Sequence, residues 1–248
     1  MKRIAHITDI HLEEDFSKEN NVEPKKNWLK ILKDLKEKGI EQIVFGGDIG
    51  SAEAHKWFFE SVKDFTGDFA NNFSLVLGNH DTYKETNKHF KIATNGSDSE
   101  LYYTREDERY KYIFLDTSTS KFSKEQQAWL ELELNTEKKI IIFMHHPVLE
   151  TGFAVDIKYP LEGKEIVREI LHKSEKEINI FCGHLHFQDV RTDKNVTQYV
   201  SFASCFQSLK ITEEVVIDNG FFGYRIIEFG EEIKTSLVCF DKLEPLSA

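Results

Sequence analysis

The chain reads as an α/β protein, a four-layer αββα sandwich in which two mixed β-sheets pack face to face between flanking helices. Two observations predict this. Short apolar, β-branched runs alternate with stretches of helical period over residues 1–190, and residues 191–248 change to closely spaced strand-like runs. A length of 248 residues suits one large domain and is marginal for two. The expectation is therefore a single domain, with 191–248 as its β-rich part.

The elements follow in order. Ile4 to Thr8 is expected to be a strand ending at Asp9. Pro24 to Lys38 has Trp28, Ile31, Leu32 and Leu35 on one helical face, and Gly39 marks its stop. Ile40 to Phe45 is a second strand, and Ser51 is placed to cap a helix that turns Trp57, Phe58, Val62 and Phe65 inward. Phe73 to Leu77 is a third strand, Tyr83 to Lys91 a short helix, and Asn95 to Ser99 a polar turn. Tyr110 to Leu115 alternates as a strand does. Ser123-Lys124-Glu125-Gln126 is a capping box opening a helix through Trp129, Leu130 and Leu134. Ile140 to Met144 is an apolar strand, Glu162 to Lys176 a helix, and Ile178 to Cys182 a strand. Thr197 to Ser204, Phe222 to Phe229 and Ile233 to Phe240 complete the strands, with Gly230 turning the last two.

The bulk chemistry excludes some roles. A net charge of -11 gives no general attraction for nucleic-acid polymers or anionic membranes, although bound cations can reverse the sign of a site locally. No apolar run is long enough to span a membrane, and the N-terminus reaches a charged motif too early for a signal-peptide core. Cys182, Cys205 and Cys239 sit singly in apolar surroundings and read as buried, reduced thiols of a cytoplasmic protein. An exposed final hairpin could mediate a homodimer.

Five clusters carry the chemistry: Asp9-Ile10-His11, Gly46-Gly47-Asp48, Gly78-Asn79-His80-Asp81, His145-His146-Pro147 and Gly183-His184-Leu185-His186. Each follows a strand-like run. Strands of one sheet deliver their ends to one edge, and ligands of open α/β sheets bind beyond those ends. Asp9 and His11, two residues apart, would point to the same side of an extended chain. A lone Asp-x-His or Gly-Gly-Asp is usually a turn; the ordered set of five is not. Carboxylate, amide oxygen and imidazole form a nitrogen and oxygen set suited to two divalent Mn, Fe, Zn, Co or Ni ions rather than Ca, Mg or copper(I). His6, His55, His89 and His172 lack such context and read as core or surface residues, while His146 should point away from His145.

The ordered motifs resemble the calcineurin-like metallophosphoesterase superfamily over residues 1 to about 190. The resemblance implies one metal on Asp9, His11, Asp48 and His186, and a second on Asp48, Asn79, His145 and His184. It implies hydrolysis of a phosphate ester by hydroxide drawn from water between the cations. His80, left over as a ligand, would assist the leaving group, and Asp81 would either orient His80 or cap the helix from Tyr83. Substrate contacts are expected from Asn79, His80, Tyr83 and His184. Phe153 and Tyr159 in the 151–160 loop either stack on a base or pack that loop onto the sandwich.

Branches of the superfamily fit unequally. Ile49-Gly50-Ser51 follows Asp48 where protein Ser/Thr phosphatases carry an arginine motif, and His80 stands where lipid A precursor hydrolases usually have Arg. An acidic chain does not suit the DNA-repair nucleases. Leu115-Asp116-Thr117 to Ser123, followed by Gln126-Gln127-Ala128-Trp129-Leu130, resembles the class III cyclic-nucleotide phosphodiesterase branch. The resemblance implies a small phosphodiester substrate, such as a 3′,5′-cyclic nucleotide. The alternatives are a phosphomonoesterase or nucleotidase of loose specificity, and a non-catalytic scaffold like the retromer subunit of this fold.

Overall fold

The first apolar run forms β1 (Lys2–Ile7) in a computed structural model that describes residues 2–13, 21–97, 99–211 and 213–241. Helix α1 (Pro24–Glu37) starts with Pro at its first turn and stops where Gly39 takes φ +62, a conformation cheap only without a Cβ. It buries Trp28, Ile31, Leu32 and Leu35, the predicted face. β2 (Gln42–Phe45), α2 (Ala54–Thr66), α3 (Phe69–Asn72), β3 (Phe73–Leu75) and α4 (Tyr83–Phe90) follow. Ser51 does not cap α2, whose N-cap position is Glu53; the Ser51 carbonyl instead accepts the Ala54 N–H at 3.0 Å. Phe58 and Val62 are fully buried under α2, while Trp57 and Phe65 are half-buried.

Then come β4 (Tyr103–Glu106), β5 (Tyr110–Phe114), α5 (Lys124–Glu133), β6 (Lys139–Phe143), α6 (Ala154–Lys158), α7 (Lys164–Lys173) and β7 (Ile178–Cys182). Ser123 caps α5 as expected, its Oγ accepting the Gln126 N–H at 3.2 Å. The second half of the capping box is diverted. The Gln126 amide clips the Asp116 backbone, accepting its N–H at 2.7 Å and donating to its carbonyl at 2.8 Å. The chain ends in β8 (Asp189–Asp193), β9 (Val196–Val200), a small hairpin of β10 (Gln207–Ser208) and β11 (Ile217–Asp218), then β12 (Phe221–Phe229) and β13 (Ile233–Asp241). The expected strand from Thr197 to Ser204 stops at Val200, and α7 is shorter than the expected Glu162–Lys176.

Two large mixed sheets result, in the orders β13-β12-β1-β2-β3 and β4-β5-β6-β7-β9-β8. Period-two alternation shows how they stack. In β6, Ile141 and Phe143 join the core that holds the first sheet, while Ile140 and Ile142 join a second core with Leu130 of α5 and Val167 of α7. The first core also takes Trp28 of α1 and Phe58 of α2 on the far side of the first sheet. The order of layers is therefore helix, sheet, sheet, helix. Beyond β9 the chain crosses to the end of β1, where Ser204 N–H donates to the Thr8 carbonyl at 2.9 Å. The Asn27 amide fixes this crossing by donating to the Ser204 and Cys205 carbonyls, each at 3.1 Å.

Candidate metal centre

All five clusters lie beyond the C-terminal ends of their strands, but both sheets contribute them. β1, β2 and β3 of the first sheet bring Asp9 to Asp81, and β6 and β7 of the second bring His145 to His186. The cluster loops are bonded to one another through the backbone: Asp9 N–H donates to the Gly47 carbonyl at 2.9 Å and His11 N–H to the Asp48 carbonyl at 3.1 Å. Gly78 and Gly183 are required by crowding. A Cβ on Gly78 would fall 2.1 Å from Asp48 Oδ1, and one on Gly183 2.0 Å from Thr8 Oγ1.

The extended geometry expected for Asp9 and His11 is not what forms. Asp9 (φ 55), His11 (φ 49), Asp48 (φ 61), His184 (φ 68) and His186 (φ 54) all adopt left-handed backbone. Each costs of order 1–3 kcal/mol for a residue with a Cβ and persists where surroundings over-determine it, a pattern of functional sites. This conformation folds each short loop back so that its side chains face the cleft between the sheets.

The side chains converge. His186 Nε2 lies 3.3 Å from Asp9 Oδ1, His11 Nε2 3.5 Å from Asp48 Oδ2, and His145 Nε2 3.2 Å from Asp48 Oδ2 and 3.8 Å from Asp9 Oδ1. His11 and His186 face each other with Nε2 atoms 3.1 Å apart. Beside them His184 Nδ1 sits 3.0 Å from Asn79 Oδ1. The far ring nitrogens contact backbone carbonyls: His145 Nδ1 lies 2.7 Å from the Gly46 carbonyl, His186 Nδ1 3.2 Å from Phe206, and His184 Nε2 2.8 Å from Tyr159. Donation to those carbonyls leaves a lone pair facing the cluster on each ring, as metal-ligating imidazoles require.

The electrostatics call for added positive charge. Burial would raise Asp9 and Asp48, yet the neighbouring imidazoles, His186 for Asp9 and His145 for Asp48, hold both carboxyls below their ordinary range. Burial would lower His145, but Asp48 and Asp9 push it up to about 10. Burial, then the charge of His145, pushes His184 down to about 4. His145 Nε2 is buried 3.2 Å from Asp48 Oδ2 without a hydrogen bond, so a cation bound there would take the place of the proton that Asp48 and Asp9 favour on the ring. Two buried carboxylates, an amide oxygen and four imidazoles, His145 among them, fit divalent transition metals.

Asp81 does something other than expected. Its Oδ2 accepts the Asp48 and Gly78 N–H groups at 2.8 and 2.9 Å, and its Oδ1 accepts the Ile49 N–H at 2.9 Å. It ties the second cluster to the third rather than orienting His80, and Thr82 rather than Asp81 caps α4. Burial, then the charge of Asp48, pushes Asp81 up to about 6. His55, read from sequence as a core or surface residue, lies 3.6 Å from Asp81 Oδ1. His80 is exposed; its backbone N–H donates to Asp48 Oδ1 at 2.9 Å and its ring stands edge-on to His11 at 4.7 Å.

A cavity of about 320 Å³ opens over the cluster. His11, Asp48, Asn79, His80, His184, His186 and Ser208 make its polar lining, and Val155, Tyr159, Phe206, Val215 and Ile217 its apolar and aromatic lining. Tyr83, expected at the mouth, packs against the first core instead, with its OH accepting from the Asn87 amide at 3.0 Å. Of the two loop aromatics, Tyr159 lines the cavity and Phe153 packs edge-on to Phe187 at 5.4 Å. Cys205 and Phe206 had no signal in the sequence. They reach the site because the crossing after β9 runs beneath His186, and Cys205 Sγ lies 3.8 Å from His186 Nδ1.

A family model described as calcineurin-like phosphoesterase matches residues 2–188, a span that holds all five clusters. The chain belongs to that family. Its members use divalent metals, and here the candidate ligand groups stand together. This calcineurin-like phosphoesterase is 24% identical over 243 residues to a "probable cyclic nucleotide phosphodiesterase" of Fibrobacter succinogenes, covering 96% of this chain and 93% of that one. It is 28% identical over 199 residues to a "probable glycerophosphodiester phosphodiesterase" of Arcobacter nitrofigilis, covering 74% and 71% of the two chains. In fold it is similar to a dimetal phosphatase from Danio rerio, with a TM-score of 0.67, 12% identity, and coverage of 97% and 98%. The apolar lining of the cavity formed by Phe206, Val215 and Ile217 lies outside the matched residues.

Proposed function

We propose that this calcineurin-like phosphoesterase is a dinuclear phosphodiesterase acting on a small phosphodiester such as a 3′,5′-cyclic nucleotide. The observation that carries the reading is the convergence of seven nitrogen and oxygen side chains, Asp48 among them, in one cluster, with exposed His80 beside them. Asp9, His11, Asp48 and His186 would hold one divalent ion, and Asp48, Asn79, His145 and His184 the other, with Mn, Fe, Zn, Co or Ni suiting the donors. Bound there, the ions supply Lewis acidity toward phosphoryl oxygen and lower the pKa of water enough for a nucleophile at neutral pH.

The remaining work falls to the chain. His80, anchored through its backbone on Asp48, lines the cavity with an exposed side chain, placed to protonate a departing alkoxide or brace its charge. Asn79 and His184 border the same space for the phosphoryl group. The apolar lining takes the organic part of the ester. Among the described residues no Lys or Arg lines the cavity, which favours a singly charged diester over a doubly charged monoester. The acidic chain and the buried free thiols Cys182 and Cys205 support a cytoplasmic setting, while Cys239, expected to be buried, is exposed on β13.

Purified protein loaded with Mn²⁺ should hydrolyse bis(p-nitrophenyl) phosphate and 3′,5′-cyclic AMP faster than p-nitrophenyl phosphate. Inactivity with each of Mn, Fe, Co, Ni and Zn would sink the reading. Faster turnover of the monoester would replace it with a phosphomonoesterase.

A further inference from the structure

His146 is fully buried beside the centre, yet it is not one of the seven converging groups. Its ring packs on that of His184, with centroids 4.1 Å apart and planes 37° from parallel. Both ring nitrogens have hydroxyl partners: Nδ1 lies 2.9 Å from Thr117 Oγ1 and Nε2 3.4 Å from Ser120 Oγ. The His146 backbone N–H donates to the same Thr117 Oγ1 at 3.2 Å.

Thr117 is itself held rigidly. The preceding residue, Asp116, is gripped at N–H and carbonyl by the Gln126 amide. Its carboxylate accepts the Leu101 N–H at 2.7 Å and the Ser118 N–H at 2.8 Å. Support therefore runs from α5 through Asp116, Thr117 and His146 to the face of His184. An apolar side chain could fill the same space without the cost of burying two polar nitrogens. The hydroxyl pair fixes the plane of an imidazole, which mere filling does not require.

His184 needs such a plane. It sits on left-handed backbone, its Nε2 meets the Tyr159 carbonyl, and its Nδ1 faces Asn79. Those contacts fix the ends of the ring, and the His146 face blocks its rotation about the line between them. We propose that His146, oriented by Thr117 and Ser120, is a positioning residue that sets the ring plane of His184 and thereby the ion site of Asn79, His145 and His184. The proposal rests on the dinuclear reading above and adds to it a residue outside the ligand set.

Equilibrium dialysis with Mn²⁺ alone, on the full chain, tests it. The unmodified protein is expected to bind two ions per chain, and its failure to do so overturns the dinuclear reading and the inference with it. Given two ions in the unmodified protein, His146→Ala is expected to weaken one of them by about tenfold or more, the range for removing an outer partner of a ligand, and to leave the other unchanged. Thr117→Val, which keeps the His146 ring but removes its hydroxyl partner, should weaken the same ion by a smaller factor. Unchanged affinity for both ions in His146→Ala, or equal weakening of both, overturns the inference while leaving the dinuclear reading intact. If His146→Ala does not fold, Thr117→Val decides: selective loss of one ion supports the proposal, and unchanged binding overturns it.

Discussion

The carboxylate of Asp81 holds the backbone of Asp48, its Oδ2 accepting the Asp48 N–H at 2.8 Å. The same group takes the N–H groups of Gly78 and Ile49, so one buried side chain fixes the loops after β2 and β3 together. Asp81→Ala would leave three buried donors without an acceptor, at about 1–3 kcal/mol each. The expected outcome is a clear fall in the thermal midpoint together with loss of bound metal, because Asp48 is no longer held at φ 61. A variant with unchanged midpoint and metal content would show that the loops hold without this tie.

Much of this was legible because strands β1, β2, β3, β6 and β7 are apolar runs that end abruptly in Gly, Asp or His. The two-sheet sandwich followed from the same alternation. What the sequence hid is of two kinds. β4 and β8 read Tyr-Thr-Arg-Glu and Asp-Val-Arg-Thr-Asp, partly exposed edge strands whose polar composition carries no apolar alternation. The parts played by Asp81, Cys205 and Phe206 depend on which loops meet across the two sheets, and local spacing does not encode that. The left-handed backbone of Asp9 and His11 was hidden for a related reason: the surrounding loops impose it against the local preference of both residues.

Asp48 is the side chain shared between the two proposed ion sites, within 3.5 Å of His11 and 3.2 Å of His145. Asp48→Ala is expected to abolish binding of both ions and all hydrolysis. Metal analysis of protein purified without chelator checks it, and one retained ion per chain would show that Asp48 serves a single site.

His80 contributes its backbone to Asp48 and leaves its exposed ring at the cavity. His80→Ala should therefore keep the metal content and slow turnover by about 10²–10⁴-fold, the usual worth of a positioned proton donor. The slowing should grow as the leaving group becomes more basic. Rates across a series of aryl phosphodiesters read this directly, and equal slowing for good and poor leaving groups would remove the general-acid role.

His6 lies buried between the sheets with Nδ1 2.7 Å from Ser201 Oγ, and burial followed by the charge of Arg225 pushes it down to about 3. The unfolded chain takes up this proton below its ordinary value of 6.5, whereas the folded chain stays neutral to about 3. Proton uptake therefore favours unfolding. The contribution of His6 is complete above that ordinary value and declines as pH falls, by about 1.4 kcal/mol per pH unit. Urea unfolding from pH 7 to pH 5 should show the native protein losing stability faster than His6→Gln, and parallel pH profiles would contradict the assignment.

Phe206 belongs to the apolar lining of the cavity with its ring 4.3 Å from His186, while its carbonyl contacts His186 Nδ1. Phe206→Ala removes the ring and keeps the carbonyl, so metal content should be preserved. Loss of this apolar surface is expected to raise KM for bis(p-nitrophenyl) phosphate by about 10–100-fold, the scale of one apolar contact in a specificity pocket. Methyl p-nitrophenyl phosphate has little to place against the ring and should be almost unaffected. Equal losses on both esters would mean that Phe206 acts through His186 rather than on the substrate, and an unchanged KM for both would place the organic group elsewhere in the cavity.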